Sequence, residues 1–285
     1  MYDIAWVTCN KIPDLIDSER RLLSSLHVDH LHVKPVVWDD SRVDWEEFKL
    51  VLIRSVWDYH LKIDQFLNWL DKLDDLRVMV YNPIHILRWN HHKFYLNDLK
   101  LMGVPVLPTM FHRKNETLDL QSIFAKSGWK EIIIKPAISA TAYKLYRLTP
   151  DISPHMAKEL MHLAKNCDLL IQKFQPAIIT SGEWSFIFLN KKFSHSVHKM
   201  PAPGDFRTQN DFGGTIRLRP PEDSILKQVK QIMQSIDQDL LYSRIDGIII
   251  NGQFQLMELE LIEPDLFLMD IQLRNNFKTA LRTKI

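Results

Sequence analysis

A β-hairpin pattern near the C-terminal end most constrains what this chain can fold into. Residues 246–252 and 253–261 form two apolar runs around Asn251-Gly252, a strong signal for a tight turn between antiparallel strands. Side chains alternate between the faces of a strand, so Glu258 and Glu260 point the same way. Like charges on one face repel each other. The pattern therefore predicts a lysine, an arginine or a divalent cation beside this face.

A third carboxylate belongs to the same hairpin. Asp246 is near the start of the first strand and therefore lies alongside Glu258 and Glu260 near the end of the second. Three carboxylates in one place make an oxygen-rich site suited to Mg²⁺. The alternative is a solvated strand face with salt bridges, since antiparallel sheets often have one polar face. The apolar setting of the hairpin favours the metal site.

The remaining sequence alternates strand and helix patterns. Strand-like runs separated by helical spacing predict an N-terminal α/β layer with a mostly parallel sheet. A helix is predicted from Asn90 to about Met102, and residues 201–214 have the turn residues and length of a functional loop. The other predicted strands cover residues 3–9, 33–38, 49–55, 79–83, 131–137, 169–175, 182–190 and 191–200, and the other predicted helices cover 14–26, 64–76, 155–166 and 224–236.

Charge and composition exclude several classes of function. The chain has 36 basic and 35 acidic residues among 285, so its net charge of +1 creates no global field toward nucleic acid or an anionic membrane. No apolar run approaches the roughly 18 residues of a membrane span. The first residues lack a signal-peptide pattern, and Cys9 and Cys167 do not suggest a disulfide framework. We expect a cytoplasmic protein without nucleic-acid or membrane partners.

Residues 244–264, RIDGIIINGQFQLMELELIEP, resemble the final metal-binding hairpin of the ATP-grasp superfamily. The usual form of that hairpin is Arg-x-Asp, a turn, Glu-x-Asn and then proline. Arg244 and Asp246 take the first pair of places, and Glu258 and Glu260 take the second. Glutamate here replaces the commoner asparagine, which keeps an oxygen ligand and adds a negative charge. That charge should strengthen metal binding, at some cost in repulsion when no metal is present.

Other segments extend the resemblance. Residues 199–214 are similar to the substrate loop of bacterial glutathione synthetases, and residues 51–60 resemble their arginine-containing substrate loop more weakly. Residues 89–109 are similar to the helix that carries the first ATP lysine. The match runs from about residue 50 to 268 and is closest to the group that includes the ring-closing enzyme of D-cycloserine biosynthesis. The order of the motifs is more specific than any single motif.

The resemblance implies an ATP-grasp fold of three lobes. Residues 1–88 would form an N-terminal α/β lobe, 89–173 a central lobe and 174–285 a C-terminal lobe with the metal site. ATP would lie between the last two lobes, both α+β, with Mg²⁺ as the metal and Mn²⁺ as the alternative. A small-molecule carboxylate would be the substrate. Such proteins often associate, so a homo-oligomer is an open expectation.

The resemblance also assigns residues to roles. Lys93 and Lys135 would contact ATP phosphates, with a hydroxyl from Ser139 beside them; Gln172, Lys173 and Phe174 would hold adenine, and Glu183 the ribose hydroxyls. Asp246, Glu258 and Glu260 would hold the metal. The catalytic residues would be Arg244 for the oxyanion, Arg207 as an anion clamp and Lys199 at phosphate or substrate. Arg54, Trp57, Asp58, Gly213 and Gly214 would line the substrate site.

Single residues also have ordinary structural interpretations. Lys135 is also a plausible snorkelling lysine at a strand end, Lys93 an exposed helix lysine and Arg207 a loop cover. Their shared order along the chain favours the functional roles. Residues 135–144 depart from many family members because they contain no glycine after the second lysine, which puts the geometry of that phosphate loop in question.

The implied activity is Mg·ATP-dependent ligation. A carboxylate on a small amino-acid-like substrate would become an acyl-phosphate, and an amine or related nucleophile would attack it with release of ADP and phosphate. Phosphoryl transfer depends on positioning and charge neutralisation, which suits lysines and carboxylates. Two alternatives stay open: a kinase that stops at phosphorylation of a small acid, and a nucleotide-binding protein without ligase activity.

Overall fold

The computed structural model describes residues 2–28 and 30–285, without the side chains of Val28 and Asn210, and arranges their strands in three sheets. The first sheet is parallel, with the strand order β2-β1-β3-β4. Its strands are β1 (Tyr2–Thr8), β2 (Val33–Val37), β3 (Phe48–Ser55) and β4 (Val80–Tyr81), and its helices are α1 (Asp17–Val28) and α2 (Ile63–Asp75). The predicted parallel α/β layer is confirmed.

The helical pattern of α2 explains how this layer is closed. Phe66, Trp69, Leu70 and Leu73 recur at the three- and four-residue spacing of one helix face and are buried. They pack in one core with strand residues such as Val51. The strands themselves are almost continuously apolar and buried, as parallel strands covered on both faces are.

The predicted helix from Asn90 to Met102 is wrong in one respect, because the helix is interrupted by a turn within this range. One helix, α3 (Ile84–Asn90), ends where the prediction begins, and a second, α4 (Tyr95–Leu101), follows a turn. The backbone N–H of Lys93 in that turn donates to the carbonyl of Ala137 at 2.8 Å. This bond to a distant segment replaces a helical one, and local sequence carries no signal for it.

The second sheet is antiparallel in the order β5-β8-β6-β7. Two helices pack on it, and the second begins with Ser153 accepting a hydrogen bond from the N–H of Met156 and with Pro154 in its first turn. The strands are β5 (Thr109–His112), β6 (Ile132–Pro136), β7 (Tyr146–Leu148) and β8 (Leu169–Lys173), and the helices are α5 (Leu120–Ser127) and α6 (Pro154–Asn166).

The third sheet is antiparallel in the order β11-β10-β9-β12-β13. Its strands are β9 (Glu183–Leu189), β10 (Lys192–Met200), β11 (Thr215–Leu218), β12 (Tyr242–Ile250) and β13 (Gln253–Glu260), with helices α7 (Ala177–Ser181), α8 (Asp223–Gln234) and α9 (Ile271–Arg282). Both predicted hairpins are confirmed. Asn190-Lys191 and Asn251-Gly252 turn with positive φ at all four residues, as tight hairpin turns require.

Packing joins the three sheets. The ring of Phe277 on α9 meets Trp6 of β1 edge to face, with the centroids 6.1 Å apart, which ties the C-terminal helix to the first sheet. The predicted lobe boundaries, at residues 88/89 and 173/174, fall between one sheet and the next; they remain a prediction. None of the helices in the described part of the chain is long and apolar enough to cross a membrane.

Candidate active site

The polar face of the β12–β13 hairpin lies at the centre of the site. Asp246 pairs with Glu258 across the two strands, and Arg244 pairs with Glu260, so all four side chains share one face. Arg244 donates from Nε to both oxygens of Asp246 at 3.0 Å and from Nη2 to Glu260. The positive group that the sequence required between these carboxylates therefore includes an arginine from the hairpin itself.

Two lysines from elsewhere supply the remaining positive charge. Lys93 Nζ lies 2.9 Å from one oxygen of Glu258, and Lys135 Nζ lies 3.6 Å from the other. Lys93 comes from the turn between α3 and α4, and Lys135 comes from β6 in the second sheet. Burial raises the pKa of Glu258, but the two lysines outweigh burial and bring the pKa to about 2. The lysines that the resemblance assigned to phosphate therefore meet at one carboxylate.

A second charged group lies beside the first. Lys199 on β10 donates to Glu183 on β9, and its Nζ is 4.0 Å from Asp246. Thr208 also donates to Glu183, at 2.6 Å, and Ser185 donates to Asp246. Burial alone would lower the pKa of Lys199, but Asp246 and Glu183 raise it above its ordinary value. All of these groups are buried, so screening by water is weak.

Two glutamates in this region have raised pKa values, because nearby positive charge does not fully offset the effect of burial. Burial raises the pKa of Glu260 to about 8, against the opposing effect of Arg244 and with help from Asp246. Burial likewise raises the pKa of Glu263 to about 7. A pKa raised in this way marks a place where additional positive charge would stabilise the ionised carboxylates. The donor set, oxygen atoms from carboxylates on adjacent strands, has the chemistry that Mg²⁺ prefers.

The carboxylates are nevertheless directed at cationic side chains. Within residues 2–28 and 30–285, no group of three or more histidine, cysteine, aspartate or glutamate side chains is gathered as a metal ion would need. Asp246 and Glu260 are turned to Arg244, whereas Glu258 is turned to the lysines. The assignment of Asp246, Glu258 and Glu260 as metal ligands therefore stays a prediction, supported by their shared face and donor chemistry.

A cleft of about 610 Å³ opens beside these groups, between the second and third sheets. Its lining includes the predicted adenine residues Gln172, Lys173 and Phe174 together with Lys135 and Glu183. Apolar side chains complete it, namely Leu107, Ile133, Ile178, Ile248 and Met257. An apolar cleft with a few polar groups at one end suits a flat aromatic ring joined to a charged group.

The predicted substrate loop borders the same cleft. Arg207 lines the cleft, donates to both oxygens of Asp205 and has its guanidinium 3.6 Å from the centre of the Phe212 ring. Gly214 allows a close backbone approach, because a Cβ there would lie 2.3 Å from the carbonyl oxygen of Thr208. Arg207 is thus held at the cleft but paired within its own loop, and its predicted role as an anion clamp is untested.

The predicted phosphate loop, which contains no glycine, has an unusual backbone. Thr141, Ala142 and Lys144 all have positive φ, between 48° and 55°, the left-handed conformation that favours glycine. Each such residue costs about 1–2 kcal/mol. The Ser139 hydroxyl donates to the carbonyl of Pro136 at 3.0 Å, and the Ser139 carbonyl accepts from Lys93 Nζ at 2.5 Å. The predicted hydroxyl for phosphate is therefore bonded to the loop itself.

A second cleft, of about 360 Å³, lies beside the first sheet and contains Arg54 and Trp57. Arg54 Nη2 donates to the carbonyl of Pro264 at 3.1 Å, while its buried Nε and Nη1 have no hydrogen-bond partner among the described residues. The carboxylate of Glu19 lies 3.7 Å from Arg54 Nε, and burial raises the pKa of Glu19. Unpaired buried donors beside an empty space suit a ligand with oxygen acceptors.

Asp58 is not brought into this cleft. Its carboxylate accepts from the indole N–H of Trp38 at 2.8 Å and lies 3.0 Å from Lys62. These contacts join the segment after β3 to Trp38, the residue that follows β2. The structure thus places Arg54 and Trp57 in one cleft and directs Asp58 away from it.

Several residues of the site were missed by sequence reasoning. Glu19, Ser185 and Thr208 each contact a predicted site residue, and Asn90 bonds to the backbone of Leu259 and Leu261 at the end of β13. No motif singled out these four residues, although Thr208 and Asn90 lie within segments that carry the resemblance, and each is placed by a contact with a distant strand. Glu19 lies in the first turn of α1, and it can be recognised as a candidate site residue only once its burial is known.

The sequence is similar to one protein family and to two known proteins. Residues 4–82 match the family described as the N-terminal domain of D-cycloserine synthetase DcsG. The cycloserine biosynthesis protein DcsG of Streptomyces lavendulae is 26% identical over 244 residues, which cover 80% of both chains. A glutathione synthetase of Rhodopseudomonas palustris is 23% identical over 214 residues, covering 74% of this chain and 65% of that one.

Solved structures show the fold. The crystal structure of D-cycloserine synthetase DcsG superposes with a TM-score of 0.83 at 23% identity, covering 99% of each chain. The D-alanine–D-alanine ligase from Bacillus anthracis complexed with ATP gives 0.68 at 12% identity, covering 100% of this chain and 99% of that one. The ATP-grasp ligase PsnB complexed with Mg and ADP gives 0.67 at 12% identity, with the same coverage. The chain therefore has the ATP-grasp fold and is similar to ATP-dependent ligases, namely a glutathione synthetase and the group that contains D-cycloserine synthetase.

Proposed function

We propose that the protein activates the carboxylate of a small amino-acid-like substrate as an acyl-phosphate, at the expense of Mg·ATP, and joins it to an amine or related nucleophile. The observation that carries this proposal is the meeting of Lys93 and Lys135 at Glu258, beside the first cleft. Two lysines close enough together to neutralise one half-buried carboxylate also suit phosphate oxygens, which supports their proposed role. The products would be ADP, phosphate and a C–N bonded compound.

The nucleotide would occupy the first cleft. Its adenine would lie against Gln172–Phe174 and the apolar lining, with the phosphates directed toward Lys135. Lys93 and Lys135 would then exchange Glu258 for phosphate oxygens, which frees the carboxylate for a cation. Asp246, Glu258 and Glu260 are the residues that would hold Mg²⁺, which when bound neutralises the phosphates during transfer.

The remaining cationic residues would act on the acid substrate. Arg244 has its guanidinium beside Asp246 and Glu260, and Asp246 raises its pKa, so it stays charged in a buried site. In that position it would stabilise the negative oxygen that forms when the nucleophile attacks. Lys199 and Arg207 border the same region and would bind phosphate or the substrate carboxylate.

The second cleft would hold the polar end of the substrate. Segment 263–266 separates it from the hairpin, since the carbonyl of Asp265 accepts from Arg244 while Asp265 also lines the cleft. The two N–H groups of Arg54 that lack a partner would donate hydrogen bonds to oxygen atoms of the substrate. The nearby carboxylate of Glu19 would accept a hydrogen bond from a donor on the substrate, such as an ammonium group.

A phosphate-release screen tests the function. The protein, Mg·ATP and pairs of small acids and amines, including D- and L-amino acids, should release phosphate only when a fitting acid is present. Product mass should then show a C–N bond, and ³¹P spectra should show no lasting phosphorylated product. A stable phosphorylated acid would instead identify a kinase. Nucleotide binding with no stimulated ADP release by any acid would favour a binding protein without ligase activity.

The role of Arg54 predicts a selective kinetic defect. Arg54→Lys keeps the charge beside Glu19 but loses the two unpaired donors of the guanidinium. We expect the KM for the acid substrate to rise by about 10-fold or more, as loss of a charged hydrogen bond does, with the KM for ATP unchanged. Arg42→Lys, at an exposed site, is the matched control. Equal changes in both KM values would count against a substrate role.

A further inference from the structure

We propose that Asp168 is a positioning residue that fixes Lys93 and Lys135 relative to each other. Asp168 immediately precedes β8 and touches neither of the two clefts. Its backbone and its side chain each bond to a different part of the lysine-bearing segments. The inference rests on the proposed role of the two lysines in binding ATP phosphates.

The first connection runs through the backbone. The carbonyl of Asp168 accepts from the N–H of Ala137 at 2.8 Å, and the carbonyl of Ala137 accepts from the N–H of Lys93 at 2.8 Å. Ala137 is two residues beyond Lys135 on the chain that leaves β6. The start of β8, the end of β6 and the Lys93 turn are therefore joined by two successive hydrogen bonds.

The second connection runs through the carboxylate of Asp168. One oxygen accepts from the N–H of Lys114 at 2.7 Å, and the other accepts from Arg113 Nη1 at 3.0 Å. The same second oxygen is 3.2 Å from Nε2 of His92, the residue before Lys93. The Asp168 side chain is only 16% exposed, so these charged contacts are partly shielded from water.

The residue after Lys93 is held by the same group. The ring of Phe94 packs edge to face on His92, at 4.6 Å between centroids, and on Phe111, at 5.0 Å. The guanidinium of Arg113 lies over that ring, 4.4 Å from its centre. Both neighbours of Lys93 are thus anchored by groups that bond to or pack around Asp168.

This anchoring matters because the backbone at Lys93 is not held by regular helical hydrogen bonds. The turn interrupts a helix, and its own N–H bonds to Ala137 rather than to a helical carbonyl. The adenine residues Gln172–Phe174 lie at the opposite end of β8 from Asp168. Loss of the carboxylate should therefore displace Lys93 relative to Lys135, whose backbone link to Asp168 remains, and leave the adenine end of the cleft in place.

Calorimetric binding of Mg·ATP and of adenosine tests the inference on the full chain. We expect Asp168→Ala to weaken Mg·ATP binding by about 10-fold, as loss of charged hydrogen bonds does, with adenosine affinity unchanged. Asp168→Asn, which keeps the acceptor for the Lys114 N–H, should lose less. Asp71→Asn, which removes the carboxylate of an exposed pair with Arg88, is the matched control. Equal losses for ATP and adenosine would indicate a purely structural role and overturn the proposal.

A double-mutant cycle separates positioning from general stability. In a Lys93→Ala background, Asp168→Ala should cause little further loss of Mg·ATP affinity, because the positioned group is already absent. An undiminished 10-fold loss in that background would contradict the inference. His92→Gln provides a milder variant if Asp168→Ala fails to fold, and it should weaken ATP but not adenosine. If the protein proves to be a ligase but its Asp168 variants bind ATP as the wild type does, only this inference is wrong. If the Asp168 variants lose ATP affinity selectively but the protein catalyses no ligation, only the proposed function is wrong.

Discussion

Replacing Lys135 with alanine is expected to lower the rate of ATP turnover by about 10²–10³-fold, the effect of removing one strong donor from a buried transition state. Lys135 is buried at the end of β6, and burial lowers its pKa. A lysine held there without bulk water interacts strongly with any anion beside it. ADP release measured with saturating acid substrate checks the result.

The control for this experiment is an exposed lysine close to the same strand. Lys130 is exposed and lies two residues before β6, so Lys130→Ala should retain wild-type turnover. Circular dichroism of both variants establishes that they fold. If Lys135→Ala released ADP at the wild-type rate, the lysine would be a structural partner of Glu258 only, and the nucleotide assignment of the first cleft would lose its main support.

Replacing Glu258 with glutamine is expected to have two separable effects. Lys93 and Lys135 would lose the carboxylate that neutralises them, and an uncompensated buried charge costs about 3–5 kcal/mol of unfolding free energy. The second effect falls on catalysis, because the predicted metal site would lose one charged ligand. We expect turnover to fall by at least about 10²-fold and to require more Mg²⁺.

Addition of ATP distinguishes the two effects. Nucleotide phosphates should restore negative charge beside the lysines, so Mg·ATP should raise the melting temperature of Glu258→Gln more than that of the wild type. Glu46→Gln, at an exposed position of the first lobe, is the matched control and should change neither stability nor Mg²⁺ dependence. A variant that is destabilised but keeps the wild-type Mg²⁺ requirement would show that Glu258 is a salt-bridge partner and not a metal ligand.

The predicted phosphate loop departs from the family pattern in its residues. Residues 135–144 contain no glycine, yet Thr141, Ala142 and Lys144 adopt the left-handed backbone that glycine would adopt freely. That backbone conformation therefore carries an energetic cost, and the freedom of the loop is reduced. The hydroxyl of Ser139 is occupied by the Pro136 carbonyl, so binding phosphate through it would require that bond to break.

The local parts of the fold were predictable from sequence. Short apolar runs predicted the strands of the first sheet, and the three- and four-residue spacing of Ile225, Val229 and Ile232 predicted the buried face of α8. Asn251-Gly252 predicted the hairpin turn. Residues 215–218 and 271–282 were not predicted as β11 and α9, because short or mixed runs carry weak periodicity and are fixed by packing.

The interruption between α3 and α4 was not predictable. Residues 90–102 have an unbroken helical pattern, and the break depends on the carbonyl of Ala137, which is distant in sequence. The same limit applies to Glu19 and Arg54, whose side chains meet only when α1 packs against β3. Propensity acts within a few residues, whereas these contacts join segments tens of residues apart.

The sequence by itself determined that Asp246, Glu258 and Glu260 share one face of a hairpin, because strand periodicity and the Asn-Gly turn fix the register. Only the tertiary structure decided which cations meet those carboxylates. Lys93 and Lys135 arrive from other elements, and Arg244 turns toward Asp246 and Glu260. Electrostatic pairing depends on distance and burial in three dimensions, and the local sequence determines neither.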